Sequence, residues 1–457
     1  MKGFVPTPDS IVDLMVGKLF AEQAPTASSR LLDPGCGNGE FIAGVVRICQ
    51  RRNWPIPAIV GVELNSSRAI TAKERFRDFA QVSIRNADFL QPSSESFDFV
   101  IGNPPYVSIL ELSADERSTY RGAYRTAVGR FDLYVLFFEQ AMRQLANRGR
   151  IVFITPEKFL YVETARPLRE LFRTFRVAEL HFTGEDTFVN RVVYPLITTI
   201  DRSGPKSHTR IVRRDGRELD VHFNVSSTWL PIVEGFVAET SRNTLADAAV
   251  RISCGVATGA DSVFLMATHQ VPHELNKFAR PTISGRQITP RRFLDQQSSL
   301  LVPYDNSGQL LHESELGALG RFLREPGRMA QLKARTCVSR KPWYAYHDSF
   351  PIAEMGRPKL LCKDITESPF FVVDREGRII PRHSVYYVVP QNPDHLEPLA
   401  EYLNSPIVAH WLRAHCQRAA GGFLRLQSHV LKRIPLPAAF VSTSAFMESV
   451  EHELQPA

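Results

Sequence analysis

A polar turn interrupted by two prolines carries the most specific chemistry in the sequence. It follows residues 96–100, whose alternating pattern predicts a half-buried strand. The turn itself consists of Asn103, Pro104, Pro105 and Tyr106. Proline has no amide proton and a fixed φ, so the strand must end here and present Asn103 and Tyr106 at its carboxyl end. In open α/β sheets this is the edge at which ligands bind.

This turn suits the binding of an exocyclic amine. The side-chain carbonyl of Asn103 and the backbone carbonyl of Pro104 are two acceptors for the two hydrogens of one amino group. Such binding draws the nitrogen out of conjugation with an aromatic ring and frees its lone pair to attack a methyl donor. Tyr106 offers a face for stacking, worth about 1–3 kcal/mol per base. The structural alternative is a proline-terminated strand followed by a loop tyrosine.

A glycine-rich turn between a predicted strand (residues 30–33) and a predicted helix (residues 40–46) indicates a cofactor site. Its spacing is not G-x-G-x-x-G, and no Gly-Lys-Ser/Thr follows, which disfavours a phosphate site. The wide turn and its leading carboxylate suit a ligand with a cationic amino-acid end, such as S-adenosylmethionine. The residues concerned are Asp33, Pro34, Gly35, Gly37 and Gly39.

Three other positions complete a possible cofactor site. Glu63 ends the second predicted strand, where an acid commonly binds paired ribose hydroxyls. Asp88 and Phe89 follow the third strand and suit an adenine amino group and ring, and Thr7 lies in a proline-flanked turn from which its hydroxyl can reach a ligand. The alternatives are a solvated carboxylate, a loop acid beside a core phenylalanine, and a turn-forming threonine. The order of these signals along the chain favours the cofactor site.

Strands and helices alternate through the first half of the chain, which predicts an α/β fold with a doubly wound, mostly parallel, Rossmann-like sheet. Residues 191–200 are expected to close the sheet, with Pro195 placing that strand at an edge. Residues 107–126 are expected to form an irregular loop. The composition changes after Asp201, and we expect a catalytic domain over residues 1–240 and a mixed α+β domain over residues 241–457.

Composition narrows the class of protein. The 457 residues carry a formal net charge of +7, which suits a polyanionic partner. Six cysteines lack Cys-x-x-Cys spacing, which argues against a zinc site or a disulfide framework and for a reducing compartment. No signal peptide and no stretch long enough to span a bilayer is evident, so we expect a cytoplasmic protein.

A basic stretch in the second half is interleaved with aromatic residues, which suits a nucleic-acid face. The alternative is a solvated basic surface with a buried tryptophan. The basic residues are Arg321, Arg324, Arg328, Lys333, Arg335, Arg340, Lys341, Arg357 and Lys359, and the aromatic residues are Trp343, Tyr344 and Tyr346.

Together these motifs resemble the gamma-class, TaqI-like adenine-N6 DNA methyltransferases of restriction–modification systems, over nearly the whole chain. The resemblance implies S-adenosylmethionine as cofactor and places Asn103 and the Pro104 carbonyl on the target amine, with Tyr106 stacked on an adenine flipped out of the duplex. Phe188 falls near the segment where the family places a second aromatic residue on the opposite face of that base; otherwise it is a core residue. The implied partners are double-stranded DNA, read by a target-recognition domain in residues 241–457, and a separately encoded restriction endonuclease.

Other functions fit the same turn. A methyltransferase acting on a glutamine side-chain amide uses the same Asn-Pro-Pro-Tyr arrangement but does not need so large a C-terminal domain. RNA adenine methylation is a further alternative, because the turn does not distinguish DNA from RNA. A DNA-binding modification subunit of a restriction complex is the alternative from a different class of protein.

Overall fold

A computed structural model of the chain describes residues 5–184, 187–188, 194–203, 208–223, 228–234, 243–289 and 297–441. The chain divides into two units, Met1–Val237 and Ala238–Ala457. The boundary expected from the sequence, between residues 240 and 241, lies close to this division. Each unit is described by itself below.

The first unit is organised by a nine-stranded sheet with the spatial order β3-β2-β1-β4-β5-β7-β6-β8-β9. The five strands from β3 to β5 are parallel, and β7 is antiparallel to both of its neighbours. The predicted α/β class with a mostly parallel sheet is therefore confirmed. The strands are β1 (Arg30–Pro34), β2 (Ala58–Glu63), β3 (Val82–Asn86), β4 (Phe97–Gly102), β5 (Leu145–Pro156), β6 (Arg176–Phe182), β7 (Pro195–Asp201), β8 (Thr209–Val212) and β9 (Glu218–Val221).

Helices cover both faces of this sheet because successive side chains of a strand point to opposite sides. Leu31 packs in one apolar cluster with the first three helices, whereas its neighbour Leu32 packs in a second cluster with the later ones. Phe99 and Val100 divide in the same way. The helices are α1 (Asp9–Leu19), α2 (Glu40–Arg51), α3 (Ser66–Arg75), α4 (Ala114–Ala123), α5 (Leu133–Arg143), α6 (Arg166–Phe172) and α7 (Leu230–Val233).

Two expectations about this unit were wrong. Strand β7 lies between β5 and β6 and is not an edge strand. Pro195 is tolerated there because it is the first residue of the strand, where it pairs with the terminal Pro156 of β5. Residues 107–126 are not an irregular loop but contain α4, which Ser113 and Glu116 begin with a reciprocal capping box. The predicted positions 191–193 lie outside the described residues.

The second unit combines three small sheets with short helices. Two four-stranded sheets, ordered β10-β18-β14-β16 and β11-β13-β12-β17, contribute to one apolar core, and a three-stranded sheet has the order β15-β20-β19. The predicted mixed α+β class of this part is thereby confirmed. The strands are β10 (Ala249–Cys254), β11 (Leu265–Ala267), β12 (Ala279–Ile283), β13 (Ser298–Leu301), β14 (Lys359–Lys363), β15 (Ile365–Thr366), β16 (Phe371–Asp374), β17 (Ile380–Pro381), β18 (Val385–Pro390), β19 (Gln417–Arg418) and β20 (Leu424–Arg425).

The helices of this unit are short and lie between and after those strands. They are α8 (Asp261–Phe264), α9 (Gly317–Leu323), α10 (Pro326–Lys333), α11 (Ile352–Met355), α12 (Leu396–Leu403), α13 (Pro406–His415) and α14 (Ser428–Leu431).

Several members of the predicted basic and aromatic face are interior residues. Tyr344, Tyr346 and Lys359 are buried, and Lys359 is fully enclosed with its Nζ 2.5 Å from Asp374 Oδ2. Arg335 donates to the backbone carbonyls of Leu332, Thr258 and Trp343 and so supports the fold. These residues are structural because their polar groups are satisfied within the unit. Arg340 is exposed.

In the described part of the chain, no helix combines the length and the apolar character that crossing a membrane requires.

Candidate active site

A cavity opens in the first unit at the carboxyl ends of β1 to β4. Segments that follow each of these strands contribute to its wall, together with the chain before α1 and the side chains of α2 to α5. The site residues predicted from sequence that line it are Thr7, Gly35, Glu63, Asp88, Phe89, Asn103 and Pro105. The other predicted residues are outside the wall of this cavity, and they are Asp33, Pro34, Gly37, Gly39, Pro104, Tyr106 and Phe188.

The glycine turn after β1 is a tight backbone structure. Gly35, Gly37 and Gly39 all have positive φ, at 80°, 58° and 88°. At Gly39 a Cβ atom would lie 2.4 Å from the ring of Phe76, so both the conformation and the space require glycine there. The amide of Gly35 donates to the carbonyl of Val62 at 2.7 Å, which ties the turn to β2.

Glu63 holds this turn from the end of β2. Its Oε2 accepts from the amide of Gly37 at 3.0 Å, and its Oε1 accepts from the amide of Asn65 at 2.7 Å and from Arg68 Nη2 at 2.8 Å. The carboxylate is buried and also lines the cavity. Glu63 is therefore not a solvated strand-end carboxylate. Arg68, which is paired with it, also lines the cavity.

Asp88 and Phe89 lie next to each other at the end of β3. Asp88 is half-buried and accepts from the amide of Leu90 at 2.9 Å through Oδ1 and from Gln91 Nε2 at 3.2 Å through Oδ2. The ring of Phe89 is buried and lies 5.1 Å from that of Phe137, between ring centroids. The pair presents a carboxylate and an apolar ring to the same cavity.

Asp33 is an unusual carboxylate at the end of β1. It is fully buried, and neither side-chain oxygen has a hydrogen-bond partner among the residues that the structure describes. Burial raises the pKa of Asp33 well above its usual range, and the nearby carboxylates of Glu40 and Glu63 raise it further. A buried polar group of this kind calls for a partner from outside the chain.

The side-chain amide of Asn103 has a defined orientation. Its Nδ2 donates to the backbone carbonyl of Val5 at 3.1 Å and to Thr7 Oγ1 at 3.1 Å. A carbonyl only accepts, so the nitrogen must face Val5 and the oxygen must face the other way. That oxygen is buried and has no hydrogen-bond partner within the described ranges. Asn103 thus offers an unused acceptor at a site where it also lines the cavity.

The two predicted aromatic residues contact each other. The ring centroids of Tyr106 and Phe188 are 6.4 Å apart, and the rings meet edge to face with an interplanar angle of 80°. Phe188 is 3% exposed and packs in the cluster that contains α1 and α2, and Tyr106 is half-buried with its hydroxyl 3.4 Å from the carbonyl of Ile154. In this structure no base-sized gap separates the two rings.

Among the residues of the cavity wall that sequence reasoning missed, Val5 and Arg68 hydrogen-bond to predicted site residues. Val5 contributes only a backbone carbonyl, which no residue type could have revealed. Arg68 lies five positions after Glu63, on the first turn of α3, and reaches back to that carboxylate. Its signal was available, because an arginine one helical turn after a strand-end acid is well placed to pair with it.

Part of each unit matches a known protein family. Residues 58–188 match the Eco57I restriction-modification methylase family, and residues 308–436 match the TaqI-like C-terminal specificity domain. The Type II methyltransferase M.PaeR7I of Pseudomonas aeruginosa is 28% identical, and the alignment covers 95% of this chain and 86% of the relative. The Type II methyltransferase M.XhoI of Xanthomonas vasicola is 26% identical over 95% of this chain and 91% of the relative.

A solved structure shares the fold over nearly the whole chain. The Type IIL restriction-modification enzyme MmeI, solved in complex with DNA, aligns with a TM-score of 0.60 at 15% identity. The alignment covers 95% of this chain and 63% of that one, so the chain spans less than two thirds of that enzyme. Over 95% of its length the chain is thus similar to Type II methyltransferases of restriction–modification systems; it combines a region that matches the Eco57I methylase family with one that matches the TaqI-like C-terminal specificity domain, and its cofactor is S-adenosylmethionine.

Proposed function

We propose that this enzyme methylates the N6 amino group of an adenine that is flipped out of double-stranded DNA. The observation that carries the proposal is the buried, unused side-chain oxygen of Asn103, in an amide whose nitrogen is held by Val5 and Thr7. An acceptor in this state suits an amino group, which brings hydrogens and no negative charge. Both M.PaeR7I and M.XhoI are Type II methyltransferases, which supports DNA as the substrate.

The cavity residues fit the cofactor. Asp33, buried and without a partner among the described residues, suits a cationic amino-acid end, although it lies behind the cavity wall. Glu63 keeps further lone pairs for ribose hydroxyls, and Asp88 and Phe89 offer an acceptor and a ring face for adenine. Thr7 adds a hydroxyl in the same wall. When bound, S-adenosylmethionine supplies a methyl group activated by a positively charged sulfur.

We infer that Asn103 and the Pro104 carbonyl act by orienting the target amine. Two acceptors bind its two hydrogens, so the nitrogen lone pair leaves conjugation with the ring and points toward the methyl donor. The side-chain oxygen of Asn103 is already held in place before the substrate arrives, so little reorganisation is needed in the transition state. Neither acceptor is a strong base. The product ammonium is acidic and loses its proton to water.

We infer that the aromatic residues stabilise the flipped base. Extruding a base costs a few kcal/mol of unstacking and unpairing. Stacking on Tyr106 offsets that cost, by about 1–3 kcal/mol per base in comparable systems. For Phe188 to cover the opposite face, its ring must move away from the edge of Tyr106, since the two rings are in contact.

We assign DNA reading to the second unit. The match of residues 308–436 to a specificity domain supports this division of labour. The proposal is tested by expressing the enzyme in a host without adenine methylation and mapping modified adenines across its genome. Asn103→Ala serves as the matched inactive control.

The expected result is N6-methyladenine at one recurring sequence with the parent enzyme and none with Asn103→Ala. Methylation of another base at a recurring sequence would contradict adenine specificity. No DNA methylation, combined with transfer of tritium from S-adenosylmethionine to RNA or to glutamine side chains of proteins, would contradict DNA as substrate. Retained activity of Asn103→Ala would remove Asn103 from the chemistry.

A further inference from the structure

The small sheet β15-β20-β19 of the second unit has one face open to solvent. Ile365 pairs with Arg425, and Arg425 pairs with Gln417, so these three side chains form a row on one face. Ile365 and Arg425 are exposed, whereas their neighbours Thr366 and Leu424 are buried on the opposite face. The apolar side chain of Ile365 and the cationic side chain of Arg425 therefore lie next to each other on the outer face of the sheet.

Phe423 extends this row at the end of a glycine hairpin. It lies two positions before Arg425 and so shares its face. Gly421 and Gly422, at φ 72° and 76°, turn the chain between β19 and β20, and Phe423 then accepts from the amide of Ala419 at 2.6 Å through its carbonyl. Its side chain is 38% exposed, and no other aromatic residue of the described chain is among the exposed large apolar ones.

A polar groove continues from Ile365. It is also lined by the cationic side chains of Lys363, Arg286 and Arg382 and by two acids, Asp261 and Asp364. Each acid already accepts a hydrogen bond, Asp261 from Thr258 Oγ1 at 2.5 Å and Asp364 from the amide of Ile365 at 2.8 Å.

The cations of this region outnumber its acids, because three cations and two acids line the groove and Arg425 adds a fourth cation on the sheet. None of Lys363, Arg286 and Arg425 lies within 4.0 Å of a carboxylate oxygen of a described residue, and the buried Nε of Arg382 has no hydrogen-bond partner among them. The Nη2 atom of Arg382 donates a hydrogen bond to Gln287 Oε1 at 3.3 Å. The groove and the outer face of the sheet thus carry positive charge beside a half-exposed aromatic ring.

We propose that this surface, defined by Phe423, Arg425, Ile365 and the groove of Lys363, Arg286 and Arg382, is where the second unit binds double-stranded DNA. The cations contact phosphates or base edges, and Phe423 inserts against the base pairs. Proteins that bind the minor groove of DNA frequently insert an apolar side chain such as Phe between base steps, and positive charge complements phosphate. The inference rests on the proposed function and adds to it the position of the reading surface.

The test compares three exposed or half-exposed variants with controls in the same unit. The variants are Phe423→Ala, Arg425→Gln and Lys363→Gln. The matched controls are Ile407→Ala and Arg413→Gln, which change an exposed apolar residue and an exposed arginine of α13. For each full-length protein we would measure affinity for a random-sequence duplex pool against salt, the sequences selected from that pool, and tritium transfer to unmethylated plasmid DNA. Melting temperatures establish that every variant is folded.

We expect Arg425→Gln and Lys363→Gln to reduce the slope of log affinity against log salt by about one each if they contact phosphates. A base-edge contact instead leaves the slope unchanged and relaxes one position of the selected sequence. Phe423→Ala should keep the slope but lower affinity for the selected sequence by about tenfold or more. Either pattern in the arginine and lysine variants, together with the loss in Phe423→Ala, supports the proposal.

If the parent transfers methyl groups to plasmid DNA and all three variants match the two controls, this surface does not bind DNA and only the present inference is overturned. Should the three variants instead lose binding to another protein while DNA binding is kept, the surface is a protein interface and the inference is likewise overturned. If the folded parent transfers no methyl group to any duplex, the proposed function fails and this inference fails with it.

Discussion

The side-chain nitrogen of Asn103 donates to the hydroxyl oxygen of Thr7 at 3.1 Å, although the two residues are 96 positions apart. Together with the Val5 carbonyl, Thr7 accepts both hydrogens of that amide. The consequence is that the Asn103 oxygen is directed away from them and stays available as an acceptor. Thr7 was predicted as a cofactor residue; we now propose that it also positions Asn103.

Thr7→Val should lower kcat by about threefold to tenfold, because one hydrogen bond worth roughly 0.5–1.5 kcal/mol no longer holds the Asn103 amide. Thr7→Ser keeps the hydroxyl and should restore most of the rate. Single-turnover rates and calorimetric titration with S-adenosylmethionine separate the two roles of Thr7. A loss of cofactor affinity with an unchanged single-turnover rate would make Thr7 a cofactor contact alone.

Asp33 should make cofactor binding depend on pH. Its pKa is raised by burial and by Glu40 and Glu63, so below that pKa the carboxyl is protonated and uncharged. A cationic ligand favours the carboxylate, so binding of S-adenosylmethionine should release protons and tighten as the pH rises through the pKa of the free protein. Calorimetry in buffers of different ionisation enthalpy measures the proton release. Asp33→Asn, which cannot ionise, should bind weakly and with a flat pH profile.

The same carboxyl should affect stability with the opposite sign. Above the usual pKa of 3.8, the unfolded chain has lost the proton that folded Asp33 still holds. The free energy of unfolding contributed by Asp33 therefore falls as the pH rises through this window and levels off above the folded pKa. Asp33→Asn should remove that decrease in denaturant titrations without cofactor. An unchanged pH profile of stability in Asp33→Asn would show that Asp33 is ionised in the folded protein.

Substitutions at Phe188 can separate a core role from base stacking. Phe188→Leu conserves much of the buried apolar volume and should cost less than about 1.5 kcal/mol of stability. If Phe188 covers the flipped base, this variant should nevertheless slow turnover and alter the fluorescence of 2-aminopurine at the target position. Tyr106→Ala should also slow turnover and alter the 2-aminopurine fluorescence. Its affinity for DNA should stay nearly intact, because phosphate contacts dominate affinity. Parent-like turnover and emission in Phe188→Leu would place Phe188 in the core only.

Two basic residues that look alike in sequence should behave differently. Lys359→Met leaves the Asp374 carboxylate buried without its partner and should destabilise the protein by about 3–5 kcal/mol. Arg340→Gln changes an exposed side chain and should leave the melting temperature unchanged. If Arg340 contacts a phosphate, the salt dependence of DNA binding should weaken in that variant. A salt slope equal to that of the parent would place the DNA away from Arg340.

Local patterns in the sequence predicted the α/β class of the catalytic unit and the ends of its first four strands. Alternating apolar residues, breakers and capping signals indicate strands and helices over short distances, and parallel strands bring their carboxyl ends to one edge. That reasoning predicted fourteen site residues, of which seven line one cavity: Thr7, Gly35, Glu63, Asp88, Phe89, Asn103 and Pro105. It failed for β7, because the position of an antiparallel strand in a sheet depends on packing and not on its own residues.

The sequence by itself determined the α/β class, the position of the glycine turn and which polar residues lie at the carboxyl ends of the first four strands, because each follows from residue type and spacing. Only the tertiary structure decided which polar groups are already satisfied. The Val5 carbonyl orients Asn103, and Asp374 pairs with the buried ammonium group of Lys359. These contacts join residues distant in sequence or involve the backbone, and burial depends on how whole elements pack. Residue type alone carries neither kind of information.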